Sequence, residues 1–246
     1  ARRHNARLVG VFGQRGQAQQ VGLVATWPSP DYAAAAKASR TAFNCAVAGL
    51  GDSEWRDINR GSDSEVIRLL VDSARHFDLA ILGQYESCDS HLPRDLVEMM
   101  IMDSGRPVLV VPFAGEFSVE AFDHPLVAWN DAREAARALN DALPLIAACK
   151  SAVVVQVTRD NSETRADRAA LLQHLVSHGV PARMEVVTPE TERIPLMDAL
   201  LNCVTDQGAT LLVMGAQSHS NNPFGGRGEG TRYVLEHMTV PVLMSH

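Results

Sequence analysis

The fold of this chain is decided by residues 210–246, which read TLLVMGAQSHSNNPFGGRGEGTRYVLEHMTVPVLMSH. An apolar run ends at Gly215, a loop of small and polar residues follows, and a new helix is expected near Thr231. In an open α/β sheet, a strand that ends in this way presents backbone N–H groups to an anionic ligand. The stretch therefore predicts a phosphate site at the carboxyl end of a parallel strand.

Two segments of the first half repeat parts of this stretch. Residues 78–83 (DLAILG) correspond to residues 210–215 (TLLVMG) at an offset of 132, and residues 107–111 (PVLVV) correspond to residues 241–245 (PVLMS) at an offset of 134. Two copies of one α/β unit are therefore expected. Residues 112–125 hold proline, glycine and aspartate with little apolar periodicity, so a linker is expected near residues 116–123. We predict domains at residues 1–117 and 124–246.

The second half alternates between strand and helix patterns. Strands are predicted at residues 126–130, 153–157, 182–187, 211–214 and 240–244, with helices at 132–143, 166–178, 196–204 and 231–237. Asp131 is the predicted N-cap of the first helix, with Glu134 as its capping-box partner. This order predicts a Rossmann-like domain, a doubly wound and mainly parallel five-stranded sheet. Ligands of such sheets bind at the carboxyl ends of the strands, where chain order reverses.

The first half follows the same plan but starts late. Leu8–Phe12 matches Val153–Val157 at an offset of 145, so the counterpart of the strand at 126–130 would precede Ala1. Further strands are predicted at 55–58, 79–82 and 108–111 and helices at 32–48, 64–76 and 96–102, while residues 13–20 are polar, rich in glycine and glutamine, and expected to be mobile. The first domain thus lacks its first strand. We expect upstream residues to carry it, because each buried ladder group left unpaired costs about 1–3 kcal/mol; the alternative is a domain without this strand.

The spacing of Gly215, Ser218 and Gly228 resembles the carboxy-terminal signature of the universal stress protein family, Gly-x2-Gly-x9-Gly-Ser/Thr. The spacing agrees throughout, but Ser218 replaces the second glycine and Glu229 replaces the hydroxyl residue. The ending from His237 to His246 is similar to that of bacterial tandem members, in which two such domains are fused. The resemblance implies the tandem Rossmann-like fold and a cytosolic stress-response role.

The resemblance also implies an adenine nucleotide, ATP or a related one with Mg²⁺, in the carboxy-terminal domain. It places the ends of strands one and four on facing sides of one crevice. The implied binding residues are Asn130, Val157, Met214, Gly215, Ser218, Gly228, Gly230 and Thr231. Asn130 stands where the family usually has an aspartate, and its amide can still hydrogen-bond to the base or ribose.

Glu229 bears directly on phosphate binding. A carboxylate about 4 Å from a phosphate charge costs roughly 4 kcal/mol at an effective dielectric constant near 20. Tight ATP binding therefore requires that Glu229 turn outward, bind a cation, or be offset by Arg227 or Arg232. The alternative interpretation is that residues 225–230 form only a flexible loop and that Thr231 is only a helix cap.

The family resemblance also implies partners. The fifth strands, at 108–111 and 240–244, would pair within the chain as a pseudo-dimer, and homodimers of such chains are allowed. Residues 84–95 of the first half contain no glycine and three acidic residues, so they do not form the same phosphate loop. We predict a degenerate nucleotide site in the amino-terminal domain.

Composition excludes several classes of protein. The chain is 46% hydrophobic and 21% charged, as globular domains are, and its net charge of −7 without a basic cluster argues against a nucleic-acid partner. No apolar stretch has the length of a membrane span or the position of a signal-peptide core. We therefore predict a cytoplasmic protein without a membrane partner. Four scattered cysteines without a C-x-x-C motif predict reduced, buried thiols and no metal site.

Three functions are consistent with the sequence. The first is a stress-response protein that senses or carries an adenine nucleotide and acts on an unknown protein partner. The second is a nucleotide-independent interaction module of the same fold, and the third is a slow ATPase. No catalytic residue is assigned, because adjacent Ser218 and His219 do not make a triad and no G-x-S-x-G motif occurs. The enzyme therefore ranks last.

Overall fold

The structure, a computed structural model, describes residues 1–16, 19–21, 24–26, 28–58, 62–86, 91–158, 166–189, 195–216 and 229–246. The strands in these ranges are β1 (Leu8–Phe12), β2 (Gln19–Val21), β3 (Val24–Thr26), β4 (Ser53–Asp57), β5 (Ala80–Gly83), β6 (Val108–Val111), β7 (Pro125–Ala128), β8 (Ala152–Val157), β9 (Ala182–Val187), β10 (Leu211–Gly215) and β11 (Val242–Ser245). The helices are α1 (Pro30–Ala46), α2 (Asp63–Ala74), α3 (Leu96–Asp103), α4 (Arg133–Ile146), α5 (Ala166–Ser177), α6 (Leu196–Asp206) and α7 (Glu229–His237), with 3₁₀ turns at Arg2–His4 and Val119–Phe122.

The chain divides into two compact units. The first comprises Ala1–His76 and Ser87–Met100, and the second comprises Phe77–Glu86 and Ile101–His246. The second unit therefore holds β5 and β6 of the first repeat together with all strands of the second repeat. The predicted domains at 1–117 and 124–246 remain a prediction about the two repeats.

The second unit is built on a seven-stranded sheet in the order β5-β6-β11-β10-β7-β8-β9. Every neighbouring pair is parallel except β6 and β11, which are antiparallel. The prediction of a mainly parallel α/β fold is confirmed, and the last five strands in this order form the five-stranded sheet expected for the second repeat. The predicted pairing of the two fifth strands is also confirmed, since these are β6 and β11.

One row of side chains crosses this sheet and defines its core. The pairing registers place one residue of each strand in the row: Met184, Val154, Val127, Val213, Leu243, Leu109 and Ile81. Partners in a register point to the same face of a sheet, so these side chains share one face. The five in the middle are buried, whereas Ile81 at the β5 end is 57% exposed. The core of the second unit therefore stops short of β5.

α4 covers this face over β10 and β11. Its residues Ala135, Ala138, Leu139, Ala142 and Ile146 recur at helical spacing and are all buried. A helix with apolar residues at this period presents one continuous stripe to a sheet. Ala138, Leu139, Ala142 and Ile146 join Val213 and Leu243 of the row in a single hydrophobic cluster. α4 thus fixes the position of the strand ends beside it.

The first unit contains a two-stranded parallel sheet, β1 paired with β4, and α1 packs on both strands. α1 begins after Ser29, whose hydroxyl accepts a hydrogen bond from the backbone N of Tyr32 at 3.3 Å. The side chain of Tyr32 is buried, and its hydroxyl donates to Asp57 at the end of β4. Gly10 of β1 lets Phe43 of α1 lie close, because an added Cβ would come within 2.6 Å of that ring.

The predicted start of α4 is wrong. The helix begins at Arg133 with Ala132 as its N-cap, and Asp131 lies before it in the left-handed region at φ 57°. The Asp131 carboxylate instead accepts a hydrogen bond from Trp129 Nε1 at 2.6 Å. The capping box with Glu134 is therefore not formed. The backbone N–H of Ala132 instead donates a hydrogen bond to Oδ1 of Asn130 at 3.3 Å, so Asn130 rather than Asp131 satisfies this group.

The hairpin of β2 and β3 was not predicted, and one prediction about the cysteines is wrong. β2 begins at Gln19 and pairs with β3 in the antiparallel direction. Cys149 and Cys203 are buried as predicted, but Cys45 is exposed on α1. Cys88 lies outside the described residues.

Candidate functional site at the carboxyl edge of the sheet

The carboxyl ends of β8, β7 and β10 lie side by side, because β7 is hydrogen-bonded to β8 on one edge and to β10 on the other. The chain leaves β7 toward α4 and β8, and returns to the other side of β7 as β10. Chain order thus reverses between β7 and β10, as predicted, and this is where open α/β sheets bind ligands. The structure brings four predicted site residues to this edge: Asn130, Val157, Met214 and Gly215.

The four residues differ in what they offer. Asn130 is exposed beyond the tip of β7, Val157 is half-buried at the tip of β8, and Met214 is buried. The Asn130 side-chain oxygen accepts a hydrogen bond from the N–H of Ala132. The group of this side chain that suits a ligand is therefore its amide nitrogen, a hydrogen-bond donor. Val157 supplies an apolar wall on the neighbouring strand. This end of the edge combines one polar group with an apolar surface.

Gly215 is required by packing, whatever the ligand. A Cβ added here would overlap the carbonyl carbon of Glu134 and would lie 2.5 Å from the backbone N of Ala135. The first turn of α4 therefore rests directly on the end of β10, where only glycine leaves room for a helix backbone. Close approach of a phosphate was the reason expected from the sequence for this glycine, and the contact with α4 is a second reason for it.

Glu134 brings a negative charge to the same place. Its side chain is only 13% exposed, and its carboxylate is paired with Arg133 Nε at 2.6 Å. This hydrogen bond lowers the pKa of Glu134 against the opposing effect of burial, and the charge of His246 contributes to the lowering. Glu134 is therefore ionised at neutral pH beside the tip of β10. An anionic ligand at this tip must tolerate that charge.

The contributions of Glu134 and of the end of β11 to this edge were not predicted from the sequence. Gly215 pairs with Ser245, and one step further His246 Nδ1 lies 3.0 Å from the carbonyl oxygen of Ala216. Ser245 is buried and donates to Asp141 of α4 at 2.8 Å. The available signal was Gly215 itself, because a glycine in a strand can mark the close approach of another backbone.

Four predicted site residues remain: Ser218, Gly228, Gly230 and Thr231. Ser218 and Gly228 lie outside the described residues. Gly230 and Thr231 belong to the first turn of α7, where an added Cβ on Gly230 would lie 3.4 Å from Met197 of α6, and Thr231 is 4% exposed. Packing against α6 thus sets the position of this turn. Glu229, the first residue of α7, is exposed.

These residues fit the two ends of a nucleotide unequally. Asn130 and Val157 suit a base or ribose, which needs one hydrogen-bonding group against an apolar wall. Glu134 and Glu229 disfavour bare phosphates, although a carboxylate can share Mg²⁺ with a phosphate. In the part of the chain that the structure describes, no group of three or more His, Cys, Asp and Glu side chains could hold a metal ion. Within the same residues, no helix has the length and apolarity to span a membrane.

No protein-family model matches the sequence, and no curated protein matches it. Among solved structures, a universal stress protein from Archaeoglobus fulgidus DSM 4304 has a TM-score of 0.72 at 15% identity over 99% of this chain and 89% of that chain. A putative universal stress protein from Pseudomonas aeruginosa UCBPP-PA14 has a TM-score of 0.56 at 15% identity over 99% and 94%. A functionally unknown protein from Pseudomonas aeruginosa PAO1 has a TM-score of 0.52 at 14% identity over 100% and 94%.

At these identities the likeness concerns the fold. It covers nearly the whole chain, so it includes the elements of both repeats. Together with the strand order and the reversal between β7 and β10, it shows that this chain has the fold of the universal stress proteins.

Proposed function

We propose that this protein is a stress-response protein of the universal stress protein type, of tandem architecture and cytoplasmic location, that binds an adenine nucleotide in its second repeat. The observation that carries the proposal is that Asn130, Val157 and Gly215 lie at the carboxyl ends of three adjacent strands where chain order reverses. The fold likeness supports the type of protein, and the residues at the edge support the ligand.

The proposed roles follow from the chemistry of each side chain. The Asn130 amide donates to the base or ribose, and Val157 and Met214 provide apolar surface for the base. The phosphates lie toward Ser218, Gly228, Gly230 and Thr231. Because Glu134 and Glu229 are negative, Mg²⁺ accompanies a triphosphate. AMP or adenosine needs no such compensation, so their affinity does not depend on Mg²⁺.

The proposal is tested first by mass spectrometry of ligand released from the purified protein after denaturation, and then by calorimetric titration with adenosine, AMP and Mg-ATP. We expect ATP binding to weaken by about tenfold or more when EDTA removes Mg²⁺. Glu229→Gln should remove most of this dependence, because it removes the exposed charge that the cation offsets. Equal affinity of ATP with and without Mg²⁺ would contradict the proposed roles of the carboxylates.

A matched pair of variants tests the place of binding. Val157 and Val187 pair in register at the ends of β8 and β9, and both are half-buried. Only Val157 lies on the strand next to Asn130. Val157→Glu should abolish binding by blocking the apolar wall and repelling phosphate, whereas Val187→Glu should leave most of the affinity. Equal loss in both variants would move the site away from the β7 and β8 tips.

The second candidate is a nucleotide-independent interaction module of the same fold. It is favoured by the ionised, mostly buried Glu134 at the strand tip, which opposes an anionic ligand. This candidate predicts no bound ligand after purification and an unchanged thermal midpoint on addition of Mg-ATP. Measured binding of a nucleotide therefore favours the first candidate, and its absence favours the interaction module.

A further inference from the structure

β9 forms one end of the seven-stranded sheet, and its outer edge has no partner strand among the described residues. All five strands expected for the second repeat are present in that sheet, so this edge is not the place of an outstanding strand of the repeat. In the chain, β9 lies between α5 and α6, which are both described. An edge of this kind is a template for another strand unless something blocks it.

The backbone groups of β9 alternate between β8 and the outer edge. β8 donates hydrogen bonds to the carbonyl groups of Pro181 and Val187, at 2.8 and 3.1 Å. Because successive residues of a strand direct their backbone groups to opposite edges, the odd-numbered residues of β9 bond to β8. The even-numbered residues, Ala182, Met184 and Val186, therefore point their N–H and C=O groups to the outer edge.

The side chains of these three residues add an apolar surface to the edge. Successive side chains of a strand point to opposite faces of the sheet, so all three share one face. Ala182 and Met184 are half-buried and pack against the hydrophobic cluster, and Met184 is the end of the row of side chains that crosses the sheet. A strand added at this edge would extend that row and complete the burial of Met184.

The opposite face of β9 carries one positive and one negative side chain. Arg183 Nε lies 3.1 Å from Oε1 of Glu185, and their side chains are 54% and 35% exposed. Gln207 of α6 holds both, since its Oε1 accepts from Arg183 and its Nε2 donates to Glu185 at 2.8 Å. Charges usually keep an edge strand from pairing. A partner strand fits here only if it sets a negative charge opposite Arg183 and a positive charge opposite Glu185.

A second copy of β9, running antiparallel to the first, meets this requirement. When Met184 lies opposite Met184 of the second copy, Arg183 of each copy lies opposite Glu185 of the other. The same register sets Ala182 opposite Val186, so the outward N–H and C=O groups of both strands bond to one another. Moving the centre of pairing by one residue sets Arg183 against Arg183 or Glu185 against Glu185, which destabilises the pair. The charges therefore select the register centred on Met184.

We propose that this protein forms a homodimer in which β9 of one copy pairs antiparallel with β9 of the other across a two-fold axis at Met184. The two sheets become one continuous sheet. Main-chain hydrogen bonds supply the affinity, the two Arg183–Glu185 pairs fix the register, and the Met184 side chains carry the buried row across the axis. The partner is a second copy because the sequence Arg-Met-Glu is complementary to itself in the antiparallel direction.

The first test is sedimentation velocity of the whole protein over concentrations from about 1 μM to about 1 mM. We expect a reversible monomer–dimer equilibrium with a dissociation constant between about 1 and 100 μM. Hydrogen exchange over the same range should show that protection of the Met184 and Val186 amides increases with protein concentration. The amides of Arg183 and Glu185 should not change, because they already bond to β8.

Charge reversal tests the register. Arg183→Glu and Glu185→Arg should each weaken dimerisation by about tenfold or more, because the two-fold axis turns two attractive pairs into two repulsive ones. The matched control is the double variant, Arg183→Glu with Glu185→Arg, which keeps the net charge and restores unlike pairs. Its dissociation constant should return to within about threefold of the wild-type value. Urea unfolding at a concentration below that of dimerisation verifies that each variant is folded.

Four outcomes would overturn the proposal. A protein that stays monomeric over the whole concentration range has no such dimer, and a dimer without new protection at Met184 uses another surface. A double variant that dimerises no more tightly than the single variants does not have the proposed register. Protection of the Met184 and Val186 amides that is independent of concentration means that the edge is already covered within one copy. None of these measurements depends on nucleotide binding at β7, β8 and β10.

Discussion

β1 and β8 are counterparts in the two repeats, yet they differ in burial. All five residues of β1 are half-buried, whereas the first five residues of β8 are buried. Both strands are apolar, but β8 lies between β7 and β9, while β1 pairs with β4 alone among the described residues. β5 and β10 show the same contrast. The comparison shows that an apolar sequence does not by itself bury a strand. A strand joins the hydrophobic core only where other strands cover its edges and other elements cover its faces.

The largest expected difference in stability is between valine variants of the two glycines that end β10 and β5. Gly215→Val forces a branched side chain into the backbone of α4, so we expect it to destabilise the protein by about 3 kcal/mol. Gly83→Val should change stability by less than about 0.5 kcal/mol, because no described atom lies near its Cβ. Urea unfolding followed by circular dichroism measures both. Similar losses in the two variants would mean that β5 is covered as β10 is.

The second pair compares aliphatic side chains at the same place in the two repeats. Val213→Ala removes two methyl groups from the buried row, which should cost about 2 kcal/mol. Ile81→Ala should cost less than about 1 kcal/mol because the side chain is already mostly in water. The urea midpoints of the two variants give the comparison. A cost at Ile81 that equals the cost at Val213 would contradict the incomplete core over β5.

The smallest effect concerns two carboxylates and pH. The hydrogen bond from Arg133 lowers the pKa of Glu134, and hydrogen bonds from the backbone and side chain of Ser62 lower the pKa of Glu65 at the start of α2. A lowered pKa in the folded state stabilises the protein above the unfolded value, which is about 4.3 for glutamate, and this contribution is lost as pH falls through the folded value. Stability should therefore decline in this acid range.

Glutamine variants test this prediction. Glu134→Gln and Glu65→Gln should each flatten the fall in the urea midpoint between neutral pH and about pH 3. Glu134→Gln should flatten it more, since Glu134 is mostly buried and Glu65 is exposed and screened by water. A urea midpoint that falls more steeply with pH in either variant than in the wild type would contradict the prediction. A larger flattening in Glu65→Gln than in Glu134→Gln would contradict the expected order of the two carboxylates.

Much of the fold was predictable because the apolar runs, and the glycine and proline residues that bound them, are strong signals of strands and helices. β1, β6 and β9 have the predicted bounds, and Gly179 ends the helical region after α5 with φ 76°. The pairing of the fifth strands followed from the family resemblance. The start of α4 was not predictable from capping preferences, because Asn130 and Asp131 compete for the same turn and the Trp129 side chain engages Asp131.

The candidate site was predictable only in part. The family resemblance implied that Asn130, Val157 and Gly215 share one edge, and the structure brings them together there because parallel strands align their carboxyl ends. The charge of Glu134 at this edge was not predicted, since it depends on how closely α4 approaches β10. Such distances between elements are set by tertiary packing.

β11 joins β10 to β6, so it is the described strand through which strands of the two repeats form a single sheet. Until β11 pairs, β5 and β6 stay apart from the later strands, and both β6 and β10 offer an unpaired side to other chains. Contacts this distant in sequence form slowly. Closure of the sheet is therefore a late step of folding, and association with other unfolded chains should be concentrated in the interval just before it.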